Sequence, residues 1–282
     1  MPISDYRSSH AARGYGARYN QTYQSGYYAA LWEKVERPIV EELFRSVGGP
    51  DRTCLDFACG TGRITNVAAG FFGKVVGVDV SDSMIACAIP IRNAKLLLQD
   101  ITKNSLRDTF DVATAFRFFL NAEDKLRREA LLTIRNHLAD RGRIICNIHV
   151  NASSPAGLAS RLVNRVLRQT SHNTLSVDRM EELLADAGFV VENVIAYGFL
   201  PRPGRFAPSL CEILIEPAEK FCKALGVPSR FAQHFIIVAT KRPGNCSFLP
   251  KVSSIRGVPP HRPLRAKEFP PARHIGTFLK LD

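Results

Sequence analysis

Two acids and two glycines sit where they could hold a nucleotide. Asp56 and Asp79 each end a short apolar run, and Gly60 and Gly62 mark a turn between them. Glycine lets main chain approach a ligand with no Cβ in the way. Asp79 lies 17 residues after Gly62, where a carboxylate accepts hydrogen bonds from both hydroxyls of a ribose. From Gly60 the chain reads Gly-Thr-Gly-Arg-Ile-Thr and lacks the third glycine of a dinucleotide fingerprint. Asp56 would repel a pyrophosphate, whereas it suits a cationic amino-acid group and a sulfonium. Arg117 and His149 follow later apolar runs. A histidine there can take a proton from a hydroxyl, and an arginine can hold an anion or pair with an acid.

Alternating strand and helix patterns must position these groups. Strands read at 53–58, 74–79, 94–99, 110–116 and 142–149. Helices read at 62–72, from Ser81 as cap to a stop before Pro90, from Asn121 to Leu138, at 155–169, and from Ser176 to Ala187. That rhythm predicts an α/β domain with a parallel sheet. Phe189–Leu200 and Phe231–Thr240 break it and predict an antiparallel pair closing the sheet. The stretch 209–225 reads as a helix broken at Pro217. Upstream, Tyr15, Tyr19, Tyr23 and Tyr27 recur every four residues, one face of a helix, with Gly14, Gly16 and Gly26 arguing for interruptions. Residues 27–46 form a second amphipathic helix that Pro38 kinks or divides.

Bulk properties narrow the class. The 282 residues are 45% hydrophobic and 23% charged, ordinary for a globular protein. Residues 1–20 are polar and read as no signal peptide, and no run of 18 apolar residues occurs to span a membrane. Seven cysteines show no C-x-x-C pair and no metal spacing, so reduced core thiols, a cytoplasmic location and no metal are expected. Of the net charge of +12, residues 241–282 supply +7, which leaves the remainder close to neutral. Arg161, Arg165 and Arg168 form a second basic cluster. Either basic segment suits an acidic partner or a membrane surface, or simply solubilises the chain.

At this point Asp56–Arg63 resembles the first motif of class I S-adenosylmethionine (SAM)-dependent methyltransferases, D-x-G-C-G-T-G, with Ala58 in place of a glycine. Val76–Met84 resembles the second motif, Gln99-Asp100-Ile101 the third, and Phe110-Asp111-Val112-Ala113 the fourth strand. The resemblance covers about residues 27–240. It implies a Rossmann-like seven-stranded sheet of order 3-2-1-4-5-7-6, the last strand antiparallel, with helices on both faces. It implies SAM as cofactor, with Asp56, Ala58, Cys59, Gly60, Thr61 and Gly62 around the methionine part. Asp79 and Val80 fall at the ribose, and Met84, Asp100, Ile101 and Phe116 around the adenine and the end of strand four. Arg63, at the helix start, reads as solvent-facing.

The domain plan is a helical cap over the cofactor at 1–46, a methyltransferase domain at 47–242 with inserts at 151–175 and 201–228, and a basic proline-rich tail at 243–282 expected to be disordered. Candidate catalytic residues are His149 as base, Arg117, and Tyr15 and Tyr19 on the cap, with His172 and His234 as weaker candidates. No Asn/Asp-Pro-Pro-Tyr-like motif follows strand four, where the chain reads Phe116-Arg117-Phe118-Phe119. The reading is therefore methyl transfer to a small-molecule or glycan acceptor, with a saccharide hydroxyl preferred. Alternatives are N-methylation of a metabolite, RNA methylation through the basic tail, a non-catalytic SAM-binding protein, and a NAD-dependent oxidoreductase. The oligomeric state is open.

Overall fold

A computed structural model describes residues 14–154, 157–158, 162, 175–200 and 208–243. Most of the expected helix at 155–169, including its three arginines, together with His172 and the tail from 244 onward, lies outside the described residues.

Seven strands form one sheet: β1 (Gly49–Phe57), β2 (Phe72–Asp79), β3 (Ala94–Leu98), β4 (Phe110–Ala115), β5 (Leu138–His149), β6 (Phe189–Tyr197) and β7 (His234–Lys241). Their order is β3-β2-β1-β4-β5-β7-β6. All pair in parallel except β7, which runs antiparallel to both β5 and β6. The order reverses between β1 and β4, so a crevice opens beyond their carboxyl ends, the usual ligand position in open sheets.

Alternation along the strands builds two cores. Leu55, Val76, Ala113 and Ile144 face α6 (Asp124–His137) and α7 (Val177–Asp186), packing with Leu131, Ile134 and Leu183. Their neighbours Cys54, Val75, Val112 and Ile145 face the other way, toward Leu31, Val40 and Phe44. Those residues belong to the N-terminal helices α2 (Tyr27–Leu31) and α3 (Arg37–Val47), joined by a π-helical turn, Trp32–Glu36, and preceded by α1 (Tyr15–Thr22). Pro38 lies in the first turn of α3, where its missing N–H does no harm, and the division falls just upstream of it.

Several boundaries differ from the sequence reading. The helix after the glycine turn, α4 (Arg63–Ala68), stops short because Phe72 already pairs with Gly49 across the sheet. Ser81 sits at the cap position of α5 (Asp82–Ile85), but its hydroxyl turns to Ser83 instead of the helix end. α6 begins at Asp124; Asn121 belongs to the preceding turn, its N–H bonded to Phe118. β5 begins at Leu138, so Gly142 lies inside it beside a register shift. α8 (Pro208–Ala224) runs through Pro217 unbroken. Buried Ile215 anchors one side, and Glu219, accepting from the Gly198 and Phe199 N–H groups, anchors the other.

Gly16 is not an interruption. It lies inside α1, and a Cβ there would overlap the Ser83 carbonyl oxygen. The glycine is what lets α1 lie directly on α5.

Candidate active site and cofactor pocket

The turn after β1 is built from left-handed backbone: Ala58 at φ 54, Gly60 at φ 59 and Gly62 at φ 81. Asp79 fastens it. Its Oδ2 accepts from the Gly60 N–H at 2.8 Å and its Oδ1 from the Ser81 N–H at 2.8 Å. A Cβ on Gly60 would lie in ordinary contact with Met84 Cε at 3.6 Å, so what favours glycine here is its positive φ.

One cavity lies at this end of the sheet. Ala58, Cys59, Gly60, Asp79, Val80, Met84, Asp100, Ile101 and Phe116 all line it, together with Tyr15, Tyr19, Arg117 and His149. Thr61 and Gly62 do not; Gly62 stands at the cap of α4 with its face away from the cavity wall. Asp100 is braced by the Thr102 N–H at 3.1 Å and hydroxyl at 2.6 Å. Asp56 reaches the wall, but its oxygens are already engaged, one by the Thr65 hydroxyl at 2.6 Å and the other by the Thr114 hydroxyl at 2.7 Å. Burial raises its carboxyl to about 6 against the pull of those two hydroxyls. Asp56 therefore ties the turn to the sheet while it also reaches the cavity wall.

Beneath the cavity lies a charge network that the sequence reading missed. Glu36 is fully buried. Its Oε2 accepts from Arg117 Nη2 at 2.9 Å; its Oε1 accepts from Asn147 Nδ2 at 2.9 Å and the Tyr197 hydroxyl at 2.7 Å. Burial alone would raise this carboxyl, but Arg117, Arg63 and the Tyr197 hydroxyl outweigh it and hold it at about 2. Arg117 adopts φ 62, and its N–H donates to Asn147 Oδ1 at 2.6 Å. It pairs with an acid, the second of the two roles open to it.

Arg63 is not solvent-facing. Its side chain is 14% exposed, and its guanidinium lies between the rings of Tyr23 at 4.2 Å and Trp32 at 4.1 Å. The i, i+4 ladder Trp32, Glu36, Val40, Phe44, all buried, is the sequence signal that would have exposed the glutamate.

His149 ends β5 at the cavity wall, directly across from His234 of β7. Burial, then the Arg117 charge, pushes the His149 imidazole well below its ordinary value, so it stays neutral near pH 7. Its Nδ1 is buried with no hydrogen-bond partner among the described residues. His234 is likewise pushed down, to about 3, by burial and Arg117, and its ring stacks on Tyr197 at 5.2 Å.

The family model described as "Methyltransferase domain" matches residues 28–194. The chain belongs to the class I SAM-dependent methyltransferases. A curated relative, "Probable S-adenosylmethionine-dependent methyltransferase CRG1" of Saccharomyces cerevisiae, is 28% identical over 78 residues, which cover 28% of this chain and 27% of that protein. The match thus spans about a quarter of the relative's length. Among solved structures, magnesium protoporphyrin IX methyltransferase (ChlM) from Synechocystis PCC 6803, with SAH (S-adenosylhomocysteine) bound, superposes at TM-score 0.57 and 14% identity. It covers 80% of this chain and 94% of its own. N-methyltransferase NodS from Bradyrhizobium japonicum WM9 superposes at TM-score 0.50 and 15% identity, covering 76% of this chain and 97% of its own. These similarities show the fold of this methyltransferase.

The pocket fits SAM. Asp79 at the strand end suits the ribose, Gly60 at the cavity wall admits the thioether chain, and Met84 and Ile101 offer an apolar shelf for adenine. α1 contributes Tyr15 and Tyr19 to the cavity lining, and the Tyr19 ring lies tilted against that of Tyr23 with centroids 5.1 Å apart. Gly16→Ala in this methyltransferase should lift α1 off Ser83 and weaken SAH binding about tenfold, the usual penalty of overpacking. Calorimetric titration would show it, and unchanged affinity would detach α1 from the pocket. No helix among the described residues is long and apolar enough to cross a membrane, and no cluster among them could hold a metal.

Proposed function

We propose that this methyltransferase moves the methyl group to a hydroxyl oxygen of a small molecule or saccharide, with His149 taking the hydroxyl proton. SAM supplies an electrophilic methyl on its sulfonium. The protein's own share is to position the acceptor in line with that methyl and to receive one proton. The observation that carries the reading is a neutral imidazole at the cavity wall, at the end of a central strand. A hydroxyl acceptor needs such a group; an amine acceptor needs none. Tyr15 and Tyr19 line the same cavity and would offer ring faces and hydroxyls to the acceptor. The free thiols of Cys54, Cys59 and Cys146, all buried, accord with a reducing cytoplasmic setting.

The test is SAH release with panels of hydroxylated and amine acceptors. His149→Gln should lower turnover of a hydroxyl acceptor by about 100-fold or more while leaving SAH affinity unchanged. Unchanged turnover would remove His149 from the role and favour N-methylation. The pH profile follows from the downward shift. A base whose pKa lies well below 6.5 stays deprotonated from pH 8 to pH 6, so turnover should stay flat there and fall only at more acidic pH.

A further inference from the structure

Two guanidiniums face one carboxylate under the cavity. Arg117 takes the close bond to Glu36 at 2.9 Å, and Arg63 stands 3.8 Å from the same oxygen. The other oxygen of Glu36 is filled by Asn147 and Tyr197. Asp56 is held by two threonines and Asp79 by two main-chain N–H groups, so neither carboxylate answers Arg63. Nε and Nη1 of Arg63 are buried with no hydrogen-bond acceptor among the described residues. A desolvated guanidinium without an adequate counter-charge is costly to keep. Its two faces are covered by Tyr23 and Trp32, so the fork is pinned and any new partner must approach in its plane. The side chain lines the same cavity as Gly60 and Asp79.

We propose that Arg63 is a carboxylate subsite, and that the anion it awaits is the carboxylate of the cofactor's methionine part. The inference rests on the SAM reading of the cavity. A planar guanidinium matches a carboxylate in shape and charge better than any other side chain. Placement favours the cofactor over the acceptor as the source, because Arg63 opens the helix that follows the glycine turn. The arrangement also ties cofactor to cap. Tyr23, which follows α1, stacks on the guanidinium that the carboxylate would fix.

The test compares two ligands on the full-length chain by calorimetry. One is SAH. The other is 5′-(3-aminopropylthio)-5′-deoxyadenosine, which keeps the amine and lacks only the carboxylate. Wild type should bind SAH more tightly than the decarboxylated ligand by about 30-fold or more, the range for a buried charge pair. Arg63→Met should erase that preference by weakening SAH alone and leave the decarboxylated ligand within about twofold. Arg63→Lys, which keeps the charge without the fork, should recover part of the preference; it decides the matter if the methionine variant does not fold. Equal weakening of both ligands would reduce Arg63 to a structural part. Unchanged SAH binding would assign its partner to the acceptor and overturn the proposal. Failure of wild type to bind either ligand would instead overturn the SAM reading itself.

Discussion

Asp79→Ala should cost this methyltransferase about 100-fold or more in SAH affinity. The carboxylate does two things at once. It holds the glycine turn through the Gly60 and Ser81 N–H groups, both at 2.8 Å, and it stands at the cavity where a ribose would meet it. Hydrogen bonds to a charged group contribute about 1.5–3 kcal/mol each, so losing the turn anchor and a ligand contact together exceeds a tenfold effect. Asp79→Asn keeps one acceptor oxygen and should fall between the two. Calorimetric titration reads both variants. An alanine variant within about threefold of wild type would mean that the ribose lies elsewhere.

Glu36→Gln should destabilise the fold more than any change in the glycine turn. Removing this charge leaves Arg117 and Arg63 buried without a counter-ion and weakens the acceptor for Tyr197 and Asn147. Breaking a buried pair in this way costs about 3–5 kcal/mol. For a domain of this size that corresponds to a fall in Tm of about 10 °C. The pH sense is fixed by the downward shift of the carboxyl. Folded Glu36 titrates at about 2 and its ordinary value is 4.5, so its stabilisation is complete above 4.5 and is lost as pH falls toward 2. The wild-type melting temperature should therefore drop across that window, and the glutamine variant should lack this contribution. Scanning calorimetry at several pH values checks it; a glutamine variant as stable as wild type at pH 7 would show that the network does not support the fold.

The cofactor half of the site was legible because it is local. Gly60, Asp79, Met84 and Ile101 lie within one stretch of alternating strand and helix, and each carries a residue type that its role demands. The strand order was implied by the resemblance, and the late pair that breaks the alternation agreed with it. Where geometry had to be guessed, residue type said less. Asp79 ends its strand and Asp56 nearly does, yet two threonines from α4 and β4 also engage Asp56. Arg63 reads as a surface residue at a helix start because nothing in the chain announces that Tyr23 and Trp32, from the cap, fold over it. Glycines mark both a turn that needs positive φ, at Gly60, and a close approach of two helices, at Gly16, and spacing alone does not separate these uses.

The reach of Glu36 has a bearing on how the chain comes to be made. Its three partners stand 81, 111 and 161 residues downstream. A ribosome delivers the glutamate early, then Arg117, then Asn147, and Tyr197 only after most of the sheet has emerged. Until then the acid has no finished place to go and is best left in water. The cap that carries it can settle only on an almost complete sheet. The order of synthesis thus makes the reaction chamber the last part to close, and a nascent chain arrested before β6 would carry the glycine turn without a competent roof.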